Sequence, residues 1–214
     1  MRSLVLAVAV LAATGCATTP ANPANAREPG HDGAIQPVTA ERLGASWRPG
    51  CPLAPERLRL VRVPYLGFDG TERVGELVVA EEVAGEIVTI FERLRADRYP
   101  IERMETVDHY GADDDRSMAA NNTSAFNCRP KTGGGGWSNH SFGRAIDINP
   151  VQNPYIGRTG SVLPPAGEPF KDRNRTDRGV IHAGDRTVAA FTDHGWGWGG
   201  SWQSPIDYQH FEKP

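Results

Sequence analysis

The mixed periods of this 214-residue sequence permit a single α+β domain. Three observations carry that reading. The length suits one domain of ordinary size once a leader and a linker are subtracted. Residues 58–63 and 75–79 are short β-rich or alternating stretches suited to strands. Between residues 80 and 98, Val83, Ile87, Ile90, Phe91 and Leu94 fall at the i, i+4, i+7, i+8, i+11 spacing of an amphipathic helix. With 39% apolar and 23% charged residues the chain has a globular balance, not that of a disordered or membrane-spanning protein. A formal charge of -3 argues against nucleic acid as the main partner, because phosphate binding shows as a basic excess.

The chain opens MRSLVLAVAVLAATGC, one Arg followed by an apolar run from Leu4 to Ala13 and then small residues, which is the layout of a signal peptide. The run has about half of the roughly 20 residues that a spanning helix needs. Ala13, Thr14, Gly15 and Cys16 resemble a bacterial lipobox, in which the Cys becomes lipid-modified; a plain secretory signal with an incidental Cys is the alternative. Residues 1–16 are thus a signal peptide with a lipobox-like end. Residues 17–44, rich in Pro, Ala, Asn and Thr without a sustained apolar period, are a flexible tether, and residues 45–214 form the domain. The expected location is outside the cytoplasm, as a lipoprotein facing the periplasm or cell wall, touching membrane only through its lipid anchor. Export also changes how cysteines are read, since disulfides persist in oxidising compartments and Cys51 and Cys128 are the two left over. We pair them.

Within the domain, the charged neighbours of the helical stripe, Glu81, Glu82, Glu86, Glu92, Arg93 and Arg95, read as a solvated face, and Pro100 ends the helix. Residues 101–107 suit a strand. Residues 109–122, polar and dense in Asp and Asn, suit a loop; its Asp113, Asp114 and Asp115 lack the spacing of a calcium loop and read as solvated. Residues 123–129 alternate as a strand, and the four glycines 133–136 permit motion or close backbone approach.

Two segments carry chemistry. Residues 138–149 read SNHSFGRAIDIN, and the chain closes on DYQHFEKP from Asp207. Alternation over residues 144–148 puts Ala145 and Asp147 on one strand face, with Ile146 and Ile148 on the other. A carboxylate taken out of water between two isoleucines is costly unless paired or bound to a metal, so Asp147 asks for a cation. His140, across Gly143, offers an imidazole. His210 offers a second, on a short strand where Glu212 shares its face and Phe211 points to the core. Two imidazoles and a carboxylate suit zinc with an open fourth position, although the spacing alone also fits hydrogen-bonded structural residues. Trp196, Trp198 and Trp202, interleaved with glycines, either wall a groove for a peptide or glycan or pack in the core; Trp198 stands as the candidate for substrate contact. His182 and His194 have no partner at metal spacing, His31 lies in the tether, and His109 in the Asp-rich stretch has no clear role.

The pattern SxHxxGxAxD, carried by Ser138, His140, Gly143, Ala145 and Asp147, and the later DxxHFE from Asp207 to Glu212 closely resemble the M15 metallopeptidases. That family includes D-Ala-D-Ala carboxypeptidases and dipeptidases and L-alanyl-D-glutamate endopeptidases. The resemblance extends over the domain from about Trp47 and leaves out leader and tether. It implies a small, mainly antiparallel sheet flanked by helices, with His140, Asp147 and His210 as ligands of Zn2+ and Asp207 as general acid-base. Many relatives have Glu at that last position, and the shorter Asp needs a closer backbone. An Arg that polarises the substrate carbonyl is also implied. That Arg is placed at Arg129, on the strand entering the site; Arg116 is the competitor and otherwise a substrate contact. Ser138 either contacts substrate or caps a turn. Strand alternation by itself favours Glu212 as the base, whereas the motif and a turn at Pro205 favour Asp207 and leave Glu212 to orient a ligand.

The implied reaction is zinc-dependent hydrolysis of an amide bond in peptidoglycan stem peptides during cell-wall remodelling, by a monomer. Both D-Ala-D-Ala at the end of the stem and L-Ala-D-Glu at its start fit. A non-catalytic zinc-bearing module that holds peptidoglycan is the rival, and the acid at position 207 argues against it. A structural lipoprotein with an accidental motif is the third reading.

Overall fold

The computed structural model describes residues 34–214; the leader, Cys16, His31 and most of the expected tether lie outside the described residues. The end of that tether corrects the expectation. β1 (Ile35–Pro37) pairs antiparallel with a later strand, α1 (Ala40–Leu43) is capped by the Thr39 side chain, and Val38 and Leu43 are buried. Ile35, Val38 and Leu43 supply enough apolar surface to dock a stretch whose composition otherwise reads as linker.

β2 (Leu58–Leu66) and β3 (Glu72–Ala80) form a hairpin in full register, from Leu58 opposite Ala80 to Leu66 opposite Glu72, and β1 extends it to three strands. Against this sheet lies α2 (Ala84–Ala96), entered through a 3-10 turn at Glu81–Val83. Its predicted stripe is the buried one: Val83, Ile87, Ile90, Phe91 and Leu94 are at most 3% exposed, each worth about 1.5–3 kcal/mol of burial. Arg98 adopts a positive φ just before Pro100, which closes the helix off. Glu86 departs from the solvated face. Its carboxylate accepts from Lys213 Nζ at 2.6 and 2.7 Å and from the Trp196 indole at 3.0 Å, tying the C-terminal strand to α2.

The middle of the chain differs most from the sequence reading. The strands expected over 101–107 and 123–129 shrink to β4 (Arg103–Met104) and β5 (Asn122–Thr123), paired in parallel, after which Ser124 makes a single antiparallel bridge to Asp147. Between them the expected loop contains α3 (Asp114–Ala119). The Asp113 side chain accepts from the Arg116 backbone N–H, so part of the acidic run is an N-cap signal rather than solvated loop.

The C-terminal half builds two further small sheets. One holds β6 (Ala145–Asp147) beside the last strand. The other joins β7 (Tyr155–Ile156) and β8 (Val162–Leu163). α4 (Arg186–Thr192), β9 (Gly197–Trp198), β10 (Ile206–Asp207) and β11 (His210–Glu212) complete the chain, in the orders β6-β11-β9 and β10-β7-β8. Apart from the parallel pair, every ladder among the described residues is antiparallel, which is the α+β class expected. One apolar cluster spans the hairpin, α2 and the β6-β11-β9 sheet through Val61, Leu77, Phe91, Ile146, Phe191 and Phe211. No helix among the described residues is long and apolar enough to cross a membrane.

Cys51 and Cys128 are joined by a disulfide with a Cα–Cα distance of 5.9 Å, and it packs with Val38, Leu43 and Leu58. Their separation of 77 residues corresponds to about 4 kcal/mol of chain-entropy stabilisation. Thiol titration of the denatured, unreduced protein is therefore expected to find neither cysteine free. Cys51→Ala/Cys128→Ala should lower the unfolding free energy in urea by about that amount.

Candidate functional site

Gly143 shapes the first motif. Its φ of +64° ends the 3-10 turn Asn139–Phe142, and a Cβ there would stand 2.4 Å from the Ala80 backbone N. The same residue's carbonyl accepts from Ala80 N–H at 2.9 Å. A side chain would break this backbone approach as well as strain the dihedral. Ser138 caps the turn, its hydroxyl accepting from His140 N–H, and this sharp return brings His140 back over β6.

The ladder supplies the rest. In the β6–β11 register His210 lies directly opposite Asp147, so two short strands adjacent in the sheet deliver the second imidazole to the carboxylate. His210 Nδ1 is 2.9 Å from Asp147 Oδ1 and His140 Nε2 is 3.1 Å from Asp147 Oδ2, with the two rings 5.1 Å apart. All three side chains are nearly buried, and one donor atom from each lies within 4.8 Å of the others, an arrangement that could hold a metal ion.

The outer nitrogens explain how the rings are aimed. His140 Nδ1 meets the Ala125 carbonyl at 2.5 Å. A carbonyl only accepts, so Nδ1 carries a proton and Nε2 is the atom presented to Asp147. That Nε2 is buried, and its contact with Asp147 lacks hydrogen-bond geometry. His210 Nε2 donates to Glu212 Oε2 at 3.1 Å, and Asn139 Nδ2 donates to the same oxygen, which turns His210 Nδ1 inward. Burial works against the charge on all these groups, yet their mutual contacts prevail. Attraction to His140 and the contact and hydrogen bond with His210 hold the Asp147 carboxyl far below the usual carboxylate range. Despite burial, hydrogen bonds to Asp147 and Glu212 push His210 up to about 10. The hydrogen bond from His210 also holds Glu212 down.

Beside this group opens a cavity of about 340 Å³ whose lining includes His140, His210, Asp207, Arg129, Ser138 and Trp202. Asp207 reaches it from a different sheet. It sits on β10, opposite Tyr155 of β7, while His210 sits on β11. Strand alternation across residues 207–212 favours Glu212 only if the run is one strand; Tyr208 and Gln209 break it in two. Gly199 permits the close passage, since a Cβ there would stand 2.6 Å from Asp207 O and 3.3 Å from His210 Cβ. Asp207 Oδ1 is buried without a hydrogen bond, and burial, reinforced by Asp147 and opposed by His210, pushes the carboxyl up to about 7.

Two expected contacts are not brought to the cavity. Arg116 is on the exposed side of α3, its guanidinium paired with Asp113 at 3.3 Å. Trp198 is 6% exposed, donates to Tyr208 O and packs in the core, so the expectation of substrate contact is corrected. Alternating Gly and Trp puts Trp196 and Trp198 inside, and Trp202, after a 3-10 turn, comes out beside His210 at 5.5 Å between rings. Tyr155, Lys131 and Arg158 also line the cavity, the first and last from the β7–β8 hairpin and Lys131 from the glycine-rich loop; no spacing in the sequence marks them.

Residues 132–213 match the family model described as D-alanyl-D-alanine carboxypeptidase. This part of the chain is similar to the M15 peptidases. Comparison with curated proteins gives no match, and comparison with solved structures gives none. The matched segment contains His140, Asp147, Asp207 and His210, while Arg129 lies just ahead of it. Within it Gly143 is the backbone hinge of the whole group. Gly143→Ala is expected to destabilise the domain by at least about 2 kcal/mol, from the left-handed dihedral together with the backbone clash, measured by urea unfolding.

Proposed function

We propose that the matched segment is a zinc-dependent carboxypeptidase acting on the D-Ala-D-Ala end of peptidoglycan stem peptides. The observation that carries the reading is the convergence of His140 Nε2, Asp147 and His210 Nδ1 on one point at the wall of the cavity that Asp207 enters. The donor set fits zinc. Two imidazoles are oriented from behind by Ala125 O and Glu212, the carboxylate stays ionised, and a buried nitrogen lacks any hydrogen-bond partner. When bound, zinc supplies Lewis-acid polarisation of a carbonyl and acidification of water near neutral pH.

The chain's own residues do the rest. Asp207 accepts the proton of the attacking water and returns it to the leaving amine; a carboxyl near 7 serves both directions at neutral pH. Arg129 directs its guanidinium at the developing oxyanion. Trp202 walls the cavity. Lys131 and Arg158 line it too, and neither side chain is taken up by an ion pair or hydrogen bond among the described residues, which suits a substrate ending in a free carboxylate. The family description favours the same bond. The signal-like leader, Cys16 and the disulfide support an exported, lipid-anchored enzyme beside that substrate. A module that holds peptidoglycan without cutting it would have no use for a carboxyl poised like Asp207.

The test is incubation of the zinc-loaded protein with defined pentapeptide muropeptides, read by mass spectrometry. Loss of the terminal alanine, abolished by chelator and restored by zinc, is expected. Cleavage between L-Ala and D-Glu would make it an endopeptidase, and binding without cleavage a module. His140→Ala, Asp147→Ala and His210→Ala should each lower zinc content sharply. Asp207→Asn should keep the metal and lower kcat by about 10²- to 10⁴-fold, with Glu212→Gln costing less at saturating zinc.

A further inference from the structure

We infer that Asp114 is a positioning residue that holds the Arg129 guanidinium at the cavity, an inference that rests on the hydrolase reading above. Arg129 is pinned at its backbone and loose at its tip. Its N–H donates to Asn127 O at 2.9 Å and to Ser141 Oγ at 3.0 Å, and its carbonyl accepts from Ser138 N at 3.1 Å and Ser141 Oγ at 2.8 Å. These contacts fix the Cα beside the His140 turn but leave the long side chain to find its own place. Nε is buried and makes no hydrogen bond, and Nη1 reaches only the neighbouring Pro130 carbonyl at 3.4 Å, a weak contact. The strong one is Nη2 to Asp114 Oδ2 at 2.9 Å, between side chains 20% and 24% exposed.

Asp114 is itself well placed to act as an anchor. It stands in the first turn of α3, behind the Asp113 cap, and the helix is fastened by Asn122 Nδ2 donating to Ser117 Oγ at 3.0 Å. Asn127, two residues before Arg129, donates to Ala112 O at 3.3 Å and so ties the loop before α3 to the Arg129 segment. A charge-assisted contact from a fixed helix leaves the second Nη2 N–H and one Nη1 N–H for substrate. Without it, Arg129 would sample several rotamers, and a donor that must be ordered during the reaction stabilises charge less well than a preorganised one.

The experiment is a double-mutant cycle on the full chain with pentapeptide muropeptide as substrate, using Asp114→Ala, Asp114→Asn, Arg129→Ala and the double variant Asp114→Ala/Arg129→Ala. Asp114→Ala should lower kcat by about 10- to 100-fold, part of the loss that removing an oxyanion donor brings, with zinc content unchanged. KM should move by less than about threefold, as for an interaction made in the transition state. Asp114→Asn, which keeps an acceptor in place, should fall between wild type and Asp114→Ala, and it carries the cycle if the alanine variant does not fold. In the Arg129→Ala background, Asp114→Ala should change kcat by less than about twofold. An equal loss in both backgrounds, or no loss in either, overturns the inference. A second readout needs no turnover: the Arg129 guanidinium resonance, assigned by its loss in Arg129→Ala, should be dispersed and slowly exchanging in wild type and solvent-averaged in Asp114→Ala. An unchanged resonance in Asp114→Ala overturns the positioning role even if the wild-type protein cleaves nothing, and absence of wild-type cleavage by itself overturns only the hydrolase reading.

Discussion

Asp147, buried between two imidazoles, imposes the constraint that the other parts of this half of the molecule meet. A carboxylate in that position is tolerable only as a strongly paired anion, since the desolvation of an isolated one would overwhelm a small domain's stability. Pairing on one side comes from ladder register, which sets His210 opposite Asp147. Pairing on the other comes from a turn that Gly143 alone can make against Ala80. Each imidazole is then held from behind, by Ala125 O and by Glu212, so neither can rotate away without losing a buried hydrogen bond. The apolar cluster serves the same end: Ile146 and Phe211 alternate with Asp147 and His210 and fasten both strands to α2 and the hairpin.

Two carboxylates near the same cavity carry opposite shifts. Asp147 meets two imidazoles directly and stays ionised, while Asp207, buried without a hydrogen bond at Oδ1 and repelled by Asp147, holds its proton to about 7. Environments that separate a pair of like groups in this way assign one to hold charge and the other to exchange protons. The separation depends on topology. Asp207 and His210 are three residues apart yet belong to different sheets, and that break in the strand lets a carboxylate face the cavity instead of alternating away from it.

What the sequence made legible follows the reach of local physics. The α2 stripe and the β2–β3 hairpin were readable because their apolar periods repeat over many residues and every repeat votes the same way. His140, Asp147 and His210 were readable because an acid between isoleucines is costly enough to need an explanation. The short elements were harder. β4 and β5 are two residues each, too brief for any period, and α3 hides in an acidic run whose first member caps it. Trp198 and Trp202 cannot be told apart by composition; which one faces the cavity depends on the 3-10 turn between them. Arg129 and Arg116 posed the same difficulty, and the tertiary placement of α3 separates them.

That last separation shows what the N-terminal half contributes to the site. The matched segment contains the imidazoles and both carboxylates, but the guanidinium and the carboxylate paired with it come from residues ahead of it, with the Arg129 stretch joined to the hairpin where Phe126 N–H donates to Val78 O at 2.9 Å. Arg129 follows Cys128 directly, and the Cys128 N–H donates to Ser46 O at 3.0 Å. Its bridge to Cys51 therefore pins the base of the Arg129 segment to the first elements of the fold. The packing of residues 35–47 thus bears on the site as well as on stability. Displacing that packing would free the segment carrying Arg129 while leaving the β6–β11 ladder, and with it the juxtaposition of Asp147 and His210, in place.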